Sequence, residues 1–340
     1  KTTEAVGQVL CHDITQIIPG VTKDAVFRKG HIIREEDIPV LLSVGKDSVY
    51  IWENDETMMH ENDAAEVLYR MTANEHMHPS DVKEGKIEVI ADTEGLLKVD
   101  REKLKKVNAF GEMMIATRHG NTVVKKGDKL AGTRIIPLVI KKDKMQEAEK
   151  ICDGTPILKI LPFTVKKAAI ITTGNEVYHG RIKDAFTPVI EQKIAEFGAE
   201  MMFHEIFDDN DRKITDGCLR AIEAGADIVF CTGGMSVDPD DKTPLAIKNT
   251  GAEMISYGSP VLPGAMFLLS YYQKGDKVIP ICGLPGCAMY NRRTIFDLVL
   301  PRLMAADPVT ADELASLGEG GLCLNCKVCT FPNCGFGKGW

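Results

Sequence analysis

The sequence lacks the features that would mark a membrane protein, a secreted protein or a nucleic-acid-binding protein. It has no run of about 18 apolar residues, the length needed to cross a bilayer, and its first residues do not form a signal-peptide pattern. Positive charge is not in excess, because 41 Lys and Arg stand against 49 Asp and Glu, a net charge of −8. Since nucleic acid requires a basic face, we expect no nucleic-acid partner and no membrane partner.

The ten cysteines do not form the framework of a small secreted protein. Six are scattered through apolar or turn segments, and four crowd the carboxyl end of the chain. Disulfide frameworks belong to oxidising compartments, so this distribution predicts a reducing, cytoplasmic location. With 44% hydrophobic and 26% charged residues over 340 positions, the chain has the composition of an ordinary globular protein of two or three domains.

Residues 166–306 alternate between strand patterns and helix patterns. The strands are short apolar runs such as "AAIITT" and "DIVFCT", and the segments between them repeat apolar residues at helical spacing. Apolar strands that alternate with helices predict an α/β domain, a parallel sheet covered by helices on both faces. We predict its last helix over "CAMYNRRTIFDLVL".

The rest of the chain divides into an N-terminal and a C-terminal region. Residues 1–165 mix short strands with a few amphipathic helices, which predicts one or two β-rich α+β modules. Residues 307–340 begin with an acidic, glycine-rich stretch and end with clustered cysteines, which we interpret as a linker and a metal-binding tail. We therefore place the domain boundaries after residues 165 and 306.

Four polar loops follow the predicted strands of the α/β domain: "TTGNEV", "FDDND", "TGGMSVDPDD" and "CGLPG". Because ligands of such sheets bind beyond the carboxyl ends of the strands, we expect the loops to surround one mouth. In the third loop, Gly233 and Gly234 would let backbone N–H groups approach an anion such as a phosphate. Asp241 and its acidic neighbours would then hold Mg²⁺. The alternative is a plain turn whose aspartate caps the next helix.

The tail "CLNCKVCTFPNC" presents four cysteines in the spacing C-x2-C-x2-C-x4-C. Four thiolates this close together suit an iron–sulfur cluster or Zn²⁺, and the spacing leaves both metals open. The alternative is a disordered, redox-sensitive tail. The predicted ligands are Cys323, Cys326, Cys329 and Cys334.

The loops occur in an order that resembles the molybdopterin-binding domain family. "IITTGNEV", "IFDDNDRKI", "ADIVFCTGGMSVDPDD" and "CGLPG" follow the family's order and approximate spacing. The segment "EAVGQVLCHDI" is similar to the opening of the molybdopterin molybdotransferases, which share this domain with gephyrin-like proteins. The resemblance implies a protein of molybdenum cofactor biosynthesis that binds molybdopterin, or adenylated molybdopterin, together with Mg²⁺.

The resemblance also implies the residues of the site. It gives Asp209 and Asp241 catalytic roles, because they would position the cation. It assigns the pterin to a larger set of residues: Thr173, Gly174, Glu176, Asp184, Thr232, Gly233, Gly234, Ser236, Gly283, Pro285 and Gly286. Where molybdotransferases carry two lysines, this chain has Leu262 and Ala265.

Three functions remain open under this resemblance. The first is a molybdotransferase-like transferase, with molybdate as a further small-molecule partner. The second is a carrier or sensor without catalysis, which the absence of lysines at Leu262 and Ala265 favours. The third is a nucleotide-salvage hydrolase of the competence-damage-inducible type, against which the N-terminal segment argues. We also expect a homo-oligomer.

Overall fold

The elements of the chain fall into two units that differ in their sheets. The computed structural model describes residues 1–18, 20–51 and 55–339, without the side chains of residues 22 and 23. The first unit consists of Lys1–Asp92, Val99–Arg118 and Lys126–Lys159. The second unit consists of Thr93–Lys98, His119–Lys125 and Ile160–Trp340.

The strands follow one another as β1 (Ile14–Ile18), β2 (Thr22–Phe27), β3 (Met58–His60), β4 (Met77–Pro79), β5 (Lys86–Ala91), β6 (Gly95–Val99), β7 (Met113–Thr117), β8 (Thr122–Val124), β9 (Lys129–Ile135), β10 (Val139–Lys141), β11 (Leu158–Leu161), β12 (Lys167–Thr173), β13 (Glu200–Phe207), β14 (Ile228–Thr232), β15 (Glu253–Tyr257), β16 (Leu268–Lys274) and β17 (Lys277–Leu284). The α-helices are α1 (Ile38–Ser43), α2 (Glu61–Thr72), α3 (Arg101–Asn108), α4 (Lys142–Cys152), α5 (Asn175–Tyr178), α6 (Phe186–Ala195), α7 (Asp211–Glu223), α8 (Thr243–Asn249), α9 (Ile295–Met304) and α10 (Ala311–Ser316).

Small antiparallel sheets and the helices α1 to α4 build the first unit. β1 pairs with β2, β3 pairs with β10, and β4, β5, β9 and β7 form a four-stranded sheet in that order. Alternate residues of β5 are buried (Ile87, Val89 and Ala91), as expected for a strand with one face on a core. The prediction of an N-terminal β-rich α+β region is confirmed.

A six-stranded sheet in the order β13-β12-β14-β17-β16-β15 forms the centre of the second unit. The first four strands are parallel, whereas β16 and β15 run antiparallel to their neighbours. The predicted α/β class with a parallel sheet is confirmed, and β16 and β15 extend that sheet as two antiparallel strands that the sequence did not predict. β16 returns directly into β17 through a short turn at Gly275, and a connection this short joins only antiparallel strands.

Helices cover both faces of this sheet. Ile170 and Phe230 belong to a core cluster with residues of α6 and α9, whereas the next residues, Ile171 and Cys231, belong to a cluster with residues of α7 and α8. Successive side chains of a strand point to opposite faces, so a strand covered on both sides is apolar throughout. This arrangement explains the uninterrupted apolar runs in the sequence.

The carboxyl ends of the four parallel strands lie side by side. At the end of β12, Thr173 is in register with Phe207 of β13. At the end of β14, Thr232 is in register with Leu284 of β17. The four polar loops therefore leave the sheet at one edge, as the strand patterns predicted.

The connection from β15 to β16 reaches the same edge. Leu268 is in register with Tyr257 on one side and with Gly283 on the other. Residues 258–267 therefore form a fifth loop at this mouth, which the sequence patterns did not reveal.

Residues 307–339 pack on the second unit. The Leu262 N–H donates to the Gly321 carbonyl at 2.8 Å, and the Leu262 carbonyl accepts from the Cys323 N–H at 2.8 Å. Phe336 is 6% exposed and joins the core cluster of α6 and α9. The sequence predicts a separate linker and tail here, whereas the buried Phe336 makes this region part of the α/β unit. In the part of the chain that the structure describes, no helix has the length and apolar character needed to cross a membrane.

Candidate functional site

Two glycines shape the loop after β14. Gly233 and Gly234 have φ angles of 81° and 53°, which residues with side chains rarely adopt. A Cβ at Gly233 would collide with the carbonyl oxygen of Thr173, and a Cβ at Gly234 would lie 2.9 Å from the hydroxyl of Thr243. Glycine is therefore required for the loop to pass this close to the end of β12.

Three threonines lie next to the loop. The Thr173 hydroxyl donates to the Thr232 carbonyl at 3.1 Å and lies 3.0 Å from the Thr243 hydroxyl. Thr232 is fully buried, and its hydroxyl has no hydrogen-bond partner among the residues described. Because buried hydroxyls are nearly always bonded, the strand end retains one unused polar group.

Asp209 lies among other acidic side chains. Its carboxylate accepts from the Asn175 N–H at 3.1 Å. Burial raises the pKa of Asp209, although the Asn175 N–H opposes this. Three nearby negative charges raise the pKa further: those of Glu176, Asp240 and Asp241. The acids of two neighbouring loops thus lie near enough to raise the pKa of Asp209, and a bound cation would relieve this repulsion.

Asp241 forms two hydrogen bonds within its own loop. Its carboxylate accepts from the Asp238 N–H at 3.0 Å, and its N–H donates to the Asp238 carbonyl at 2.9 Å. The next helix, α8, begins at Thr243, and its N-cap residue Lys242 makes no side-chain cap. The alternative of a turn whose aspartate caps the next helix is therefore wrong for Asp241.

Asp184 is held by hydrogen bonds at the start of α6. Its carboxylate accepts from the N–H groups of Phe186 and Thr187 at 2.8 and 3.1 Å. It also accepts from the hydroxyls of Thr187 and Thr172 at 2.5 and 2.9 Å. Burial raises the pKa of Asp184, but the four hydrogen bonds outweigh burial and hold the pKa below its usual value. These contacts are those of a helix cap.

Two further glycines allow close packing at the strand ends. Gly174 has a φ of 132°, and a Cβ there would lie 3.0 Å from the carboxylate of Glu176. A Cβ at Gly283 would lie 2.5 Å from the sulfur of Met235. Two of the four loops thus begin at a glycine with a positive φ, Gly174 and Gly233, whereas Gly283 is the penultimate residue of β17 and packs against Met235.

Tyr257 contacts the candidate site, although the sequence did not predict it. Its hydroxyl donates to the carbonyls of Met235 and Ser236 at 3.1 and 3.2 Å, so it ties down the glycine-rich loop. Burial and the charge of Asp241 raise the pKa of Tyr257, which keeps the hydroxyl protonated. Tyr257 ends β15, a strand without a clear pattern, so no signal pointed to it.

A 3₁₀ turn over Gly286–Met289 forms the loop after β17. Pro285 precedes this turn, and a Cβ added at Gly286 would meet no atom within 4 Å. The predicted helix over "CAMYNRRTIFDLVL" begins only at Ile295, so its predicted start is wrong. Thr294 forms a capping box there, and this local signal defines the true first turn.

The four tail cysteines line one cavity of about 550 Å³ together with Arg292 and Arg293. The Arg292 guanidinium donates to the Lys327 carbonyl at 3.3 Å, and the Arg293 guanidinium lies 4.8 Å from the ring centre of Phe331. Among the described residues, no three His, Cys, Asp or Glu side chains converge closely enough to hold a metal ion. The structure therefore gathers Cys323, Cys326, Cys329 and Cys334 around one cavity but does not join them into a metal site.

Residues 169–305 match the family model described as "Probable molybdopterin binding domain". The match covers all four polar loops and less than half of the chain. Residues 1–53 match a second family model, described as a domain of unknown function. The molybdopterin-binding match supports the family resemblance for the α/β region, and it covers neither the first unit nor the tail.

Curated relatives match this chain over short stretches. One from Bacillus velezensis, named "Putative competence-damage inducible protein", is 32% identical over 85 residues, which are 25% of this chain and 20% of that protein. One of the same name from Bacillus cereus is 30% identical over 129 residues, which are 38% of this chain and 30% of that protein. The chain therefore spans less than a third of the length of these relatives.

Several solved structures are similar to part of this chain, with low TM-scores. The tungsten cofactor synthesizing protein MoaB from Pyrococcus furiosus has a TM-score of 0.33 and 19% identity, over 41% of this chain and 89% of that chain. The protein CinA from Thermoplasma acidophilum has a TM-score of 0.33 and 17% identity, over 41% of this chain and 98% of that chain. TM-scores below 0.5 are too low to carry an argument about function.

Proposed function

We propose that the second unit binds molybdopterin, or adenylated molybdopterin, as part of molybdenum cofactor biosynthesis. One observation carries the proposal: a loop that only glycine can build lies beside a cluster of acids, at the edge where the parallel strands end. Ligands of open α/β sheets bind at this edge. The match of residues 169–305 to the probable molybdopterin binding domain supports the pterin as the ligand.

The loop of Gly233 and Gly234 would receive a phosphate of the pterin. The two glycines let the loop pass close to the end of β12, where its backbone N–H groups would contact the anion, and the unused hydroxyl of Thr232 lies at the same strand end. Thr173 and Asp184 bond to partners inside the chain, so we assign them positioning roles. The remaining pterin contacts in the proposal are Gly174, Glu176, Ser236, Gly283, Pro285 and Gly286.

Mg²⁺ would lie beside Asp209. Burial raises the pKa of Asp209, repulsion from Glu176, Asp240 and Asp241 raises it further, and a divalent cation would offset that repulsion. Mg²⁺ usually takes one or two carboxylates and completes its shell with phosphate oxygens and water. It therefore does not require three protein ligands that converge before the substrate binds. In this scheme Asp209 and Asp241 position the cation.

The enzyme candidate is a molybdotransferase-like transferase that brings molybdate to the bound pterin. The second candidate is a carrier or sensor, and the fifth loop favours it. At this loop molybdotransferases carry lysines, whereas here Leu262 uses its backbone to bind Gly321 and Cys323 of the tail. The third candidate is a nucleotide-salvage hydrolase. It is supported by the likeness to competence-damage inducible proteins, which extends over less than a third of their length.

We also propose that the tail thiols bind one metal centre, an iron–sulfur cluster or Zn²⁺. The four cysteines are free thiols and line one cavity. A metal ion or cluster in this cavity would therefore bind residues that are already close to one another. Arg292 and Arg293 on the cavity wall would offset the negative charge of four thiolates. Thiolates do not suit Mg²⁺, so the two metal sites are chemically distinct.

Anaerobic calorimetry with molybdopterin and Mg²⁺ tests the pterin proposal. Asp209→Asn keeps an acceptor for the Asn175 N–H but removes the charge, so we expect affinity to fall about tenfold or more with Mg²⁺ present, about 1.4 kcal/mol. Without Mg²⁺ the difference should shrink. The matched control is Asp216→Asn, an exposed aspartate of α7, which should bind like the unaltered protein. No binding by the unaltered protein, or equal binding by both variants, would refute the proposal. Sedimentation of the same samples tests the expected homo-oligomer.

Metal analysis of anaerobically purified protein tests the tail. A brown protein that contains iron and sulfide indicates a cluster, and a colourless protein with about one zinc per chain indicates a zinc site. Cys326→Ser should abolish either signal, whereas the control Cys287→Ser should retain it, since Cys287 lies outside the cavity. Metal-free protein with four titratable tail thiols would leave the alternative of a redox-sensitive tail.

A further inference from the structure

The cavity beside the tail is larger than a metal centre requires. It has a volume of about 550 Å³, and its wall consists of residues 290–293, which follow β17, and of residues from the segment 320–336. Both stretches belong to the second unit. Pockets for small organic ligands have volumes of about 300–1,000 Å³. The cavity therefore has room for an organic molecule, and its charges and apolar surface indicate which kind.

The wall of the cavity carries positive charge only. Arg292, Arg293 and Lys327 line it, and among the described residues no aspartate or glutamate does. The Arg292 guanidinium donates to the Lys327 carbonyl at 3.3 Å, but neither side chain has a carboxylate partner in the described part of the chain. A surplus of cations, in a protein of net charge −8, favours an anionic ligand.

Arg293 is held in place from behind the wall. Its guanidinium donates to the Asp297 carboxylate at 2.8 Å and lies 4.8 Å from the ring centre of Phe331. Asp297 is buried and is also paired with Lys193, so this one carboxylate faces two cations and leaves positive charge in excess. A side chain that is already fixed loses little conformational entropy when a ligand binds.

The remaining wall of the cavity is largely apolar and partly open to water. Tyr290 and Leu324 line the cavity although they are 76% and 77% exposed, and Phe336 contributes buried aromatic surface. Exposed apolar side chains around a concave site favour a ligand that covers them. An inorganic anion would leave this surface uncovered, so the ligand requires an apolar part as well as a charge.

We propose that the cavity binds a small organic anion, with its acidic head at Arg292 and Lys327 and its apolar body against Tyr290 and Leu324. Carboxylates, sulfonates and phosphates all present an oxygen acceptor to a guanidinium, and such charge-assisted hydrogen bonds are among the strongest in proteins. The proposal does not rest on pterin binding, because the residues that carry it are outside the glycine-rich loop and the acids beside it.

The tail thiols make the organic anion and the metal alternative occupants. The four cysteines line the same cavity as free thiols, which carry no charge and do not repel an anion. A metal bound by four thiolates would place negative charge beside the arginines and use their positive charge. We therefore expect the anion to bind the thiol form of the protein, and bound zinc to weaken it.

Calorimetry of the full chain, purified under reducing conditions with a chelator, tests the site. The probes 4-phenylbutanoate and decanoate carry the same head on an aromatic and an aliphatic body, so the two titrations separate these sources. We expect at least one of them to bind with a Kd at or below about 1 mM. The uncharged 4-phenylbutanol and inorganic phosphate, which each lack one half of the ligand, should bind at least tenfold more weakly.

Two variants remove the charges one at a time. Arg292→Gln and Lys327→Gln should each weaken anion binding about fivefold or more, and both residues are exposed, so the variants should fold. The matched control is Arg212→Gln, an exposed arginine of α7 outside the cavity, which loses the same charge and should bind normally. Equal melting temperatures of the three variants would show that none has unfolded.

Four results would overturn the proposal. They are no binding of either anion at about 5 mM, equal affinities of Arg292→Gln and Arg212→Gln, binding of 4-phenylbutanol as tight as that of 4-phenylbutanoate, and unchanged anion affinity when metal analysis shows zinc in the tail. Binding of the anion without any bound metal would refute only the proposed metal centre. Binding of a metal without binding of the anion by the thiol form would refute only this inference.

Discussion

Replacement of Asp184 by alanine separates a structural role from a ligand role. In the structure this carboxylate caps α6 through the N–H groups of Phe186 and Thr187 and bonds the hydroxyls of Thr187 and Thr172. Loss of a helix cap costs about 1 kcal/mol, and loss of each hydroxyl's hydrogen bond to the carboxylate costs about 1 kcal/mol, with His204 Nε2 left 3.2 Å from both hydroxyls. We therefore expect Asp184→Ala to lower the free energy of unfolding by about 3 kcal/mol.

Thermal unfolding measures this loss directly. At about 2–4 °C per kcal/mol for a domain of 150–250 residues, the melting temperature should fall by about 6–12 °C. The control is Asp216→Ala, an exposed aspartate of α7, which should change the melting temperature by less than about 2 °C. Below both melting temperatures, pterin affinity of Asp184→Ala should stay within about threefold of the unaltered protein, about 0.7 kcal/mol.

The pH dependence gives a second signature of the same contacts. The pKa of Asp184 is lowered in the folded protein, so its stabilising effect is full above about pH 4, the unfolded-state value. It is lost as the pH falls through the lowered pKa, and the difference between Asp184→Ala and the unaltered protein should shrink there. If Asp184→Ala unfolds at the same temperature as Asp216→Ala but no longer binds the pterin, this reasoning is refuted. Asp184 would then be a ligand-binding residue.

Two further predictions follow from packing and burial. Gly233→Ala should abolish pterin binding, because its Cβ would collide with the Thr173 carbonyl, whereas Gly132→Ala in β9 of the first unit meets open space and should bind normally in the same calorimetric assay; equal behaviour would contradict this. Burial raises the pKa of Tyr271 to about 12, against the opposing Val309 hydrogen bond, so the last tyrosine to ionise in an ultraviolet titration should disappear in Tyr271→Phe. Since the unfolded value is about 10, its stabilising effect is full below about pH 10 and is lost as the pH rises toward 12.

Local patterns were sufficient to predict much of the second unit. Apolar runs ending in glycine-rich loops identified β12, β14 and β17, and the loops after them meet at one edge because parallel strands share a direction. The antiparallel strands β15 and β16 were not predicted, since Tyr257 and its neighbours show no clear alternation of apolar and polar residues. β16 is held in the sheet by β17, and β15 by β16. The start of α9 was placed too early because the capping signal of Thr294 was overlooked.

The sequence by itself determined the α/β class, the glycine-rich loop and the spacing of the tail cysteines, because each depends on residues that are neighbours in the chain. Only the tertiary structure decided which polar groups have partners. Asp184 accepts from the Thr172 hydroxyl, the Thr232 hydroxyl is buried without a partner among the described residues, and Leu262 pairs with the tail some sixty positions away. Such contacts join segments that are distant in the chain. Neither the composition of a segment nor the periodicity of its apolar residues indicates which distant segment will supply a hydrogen-bond partner.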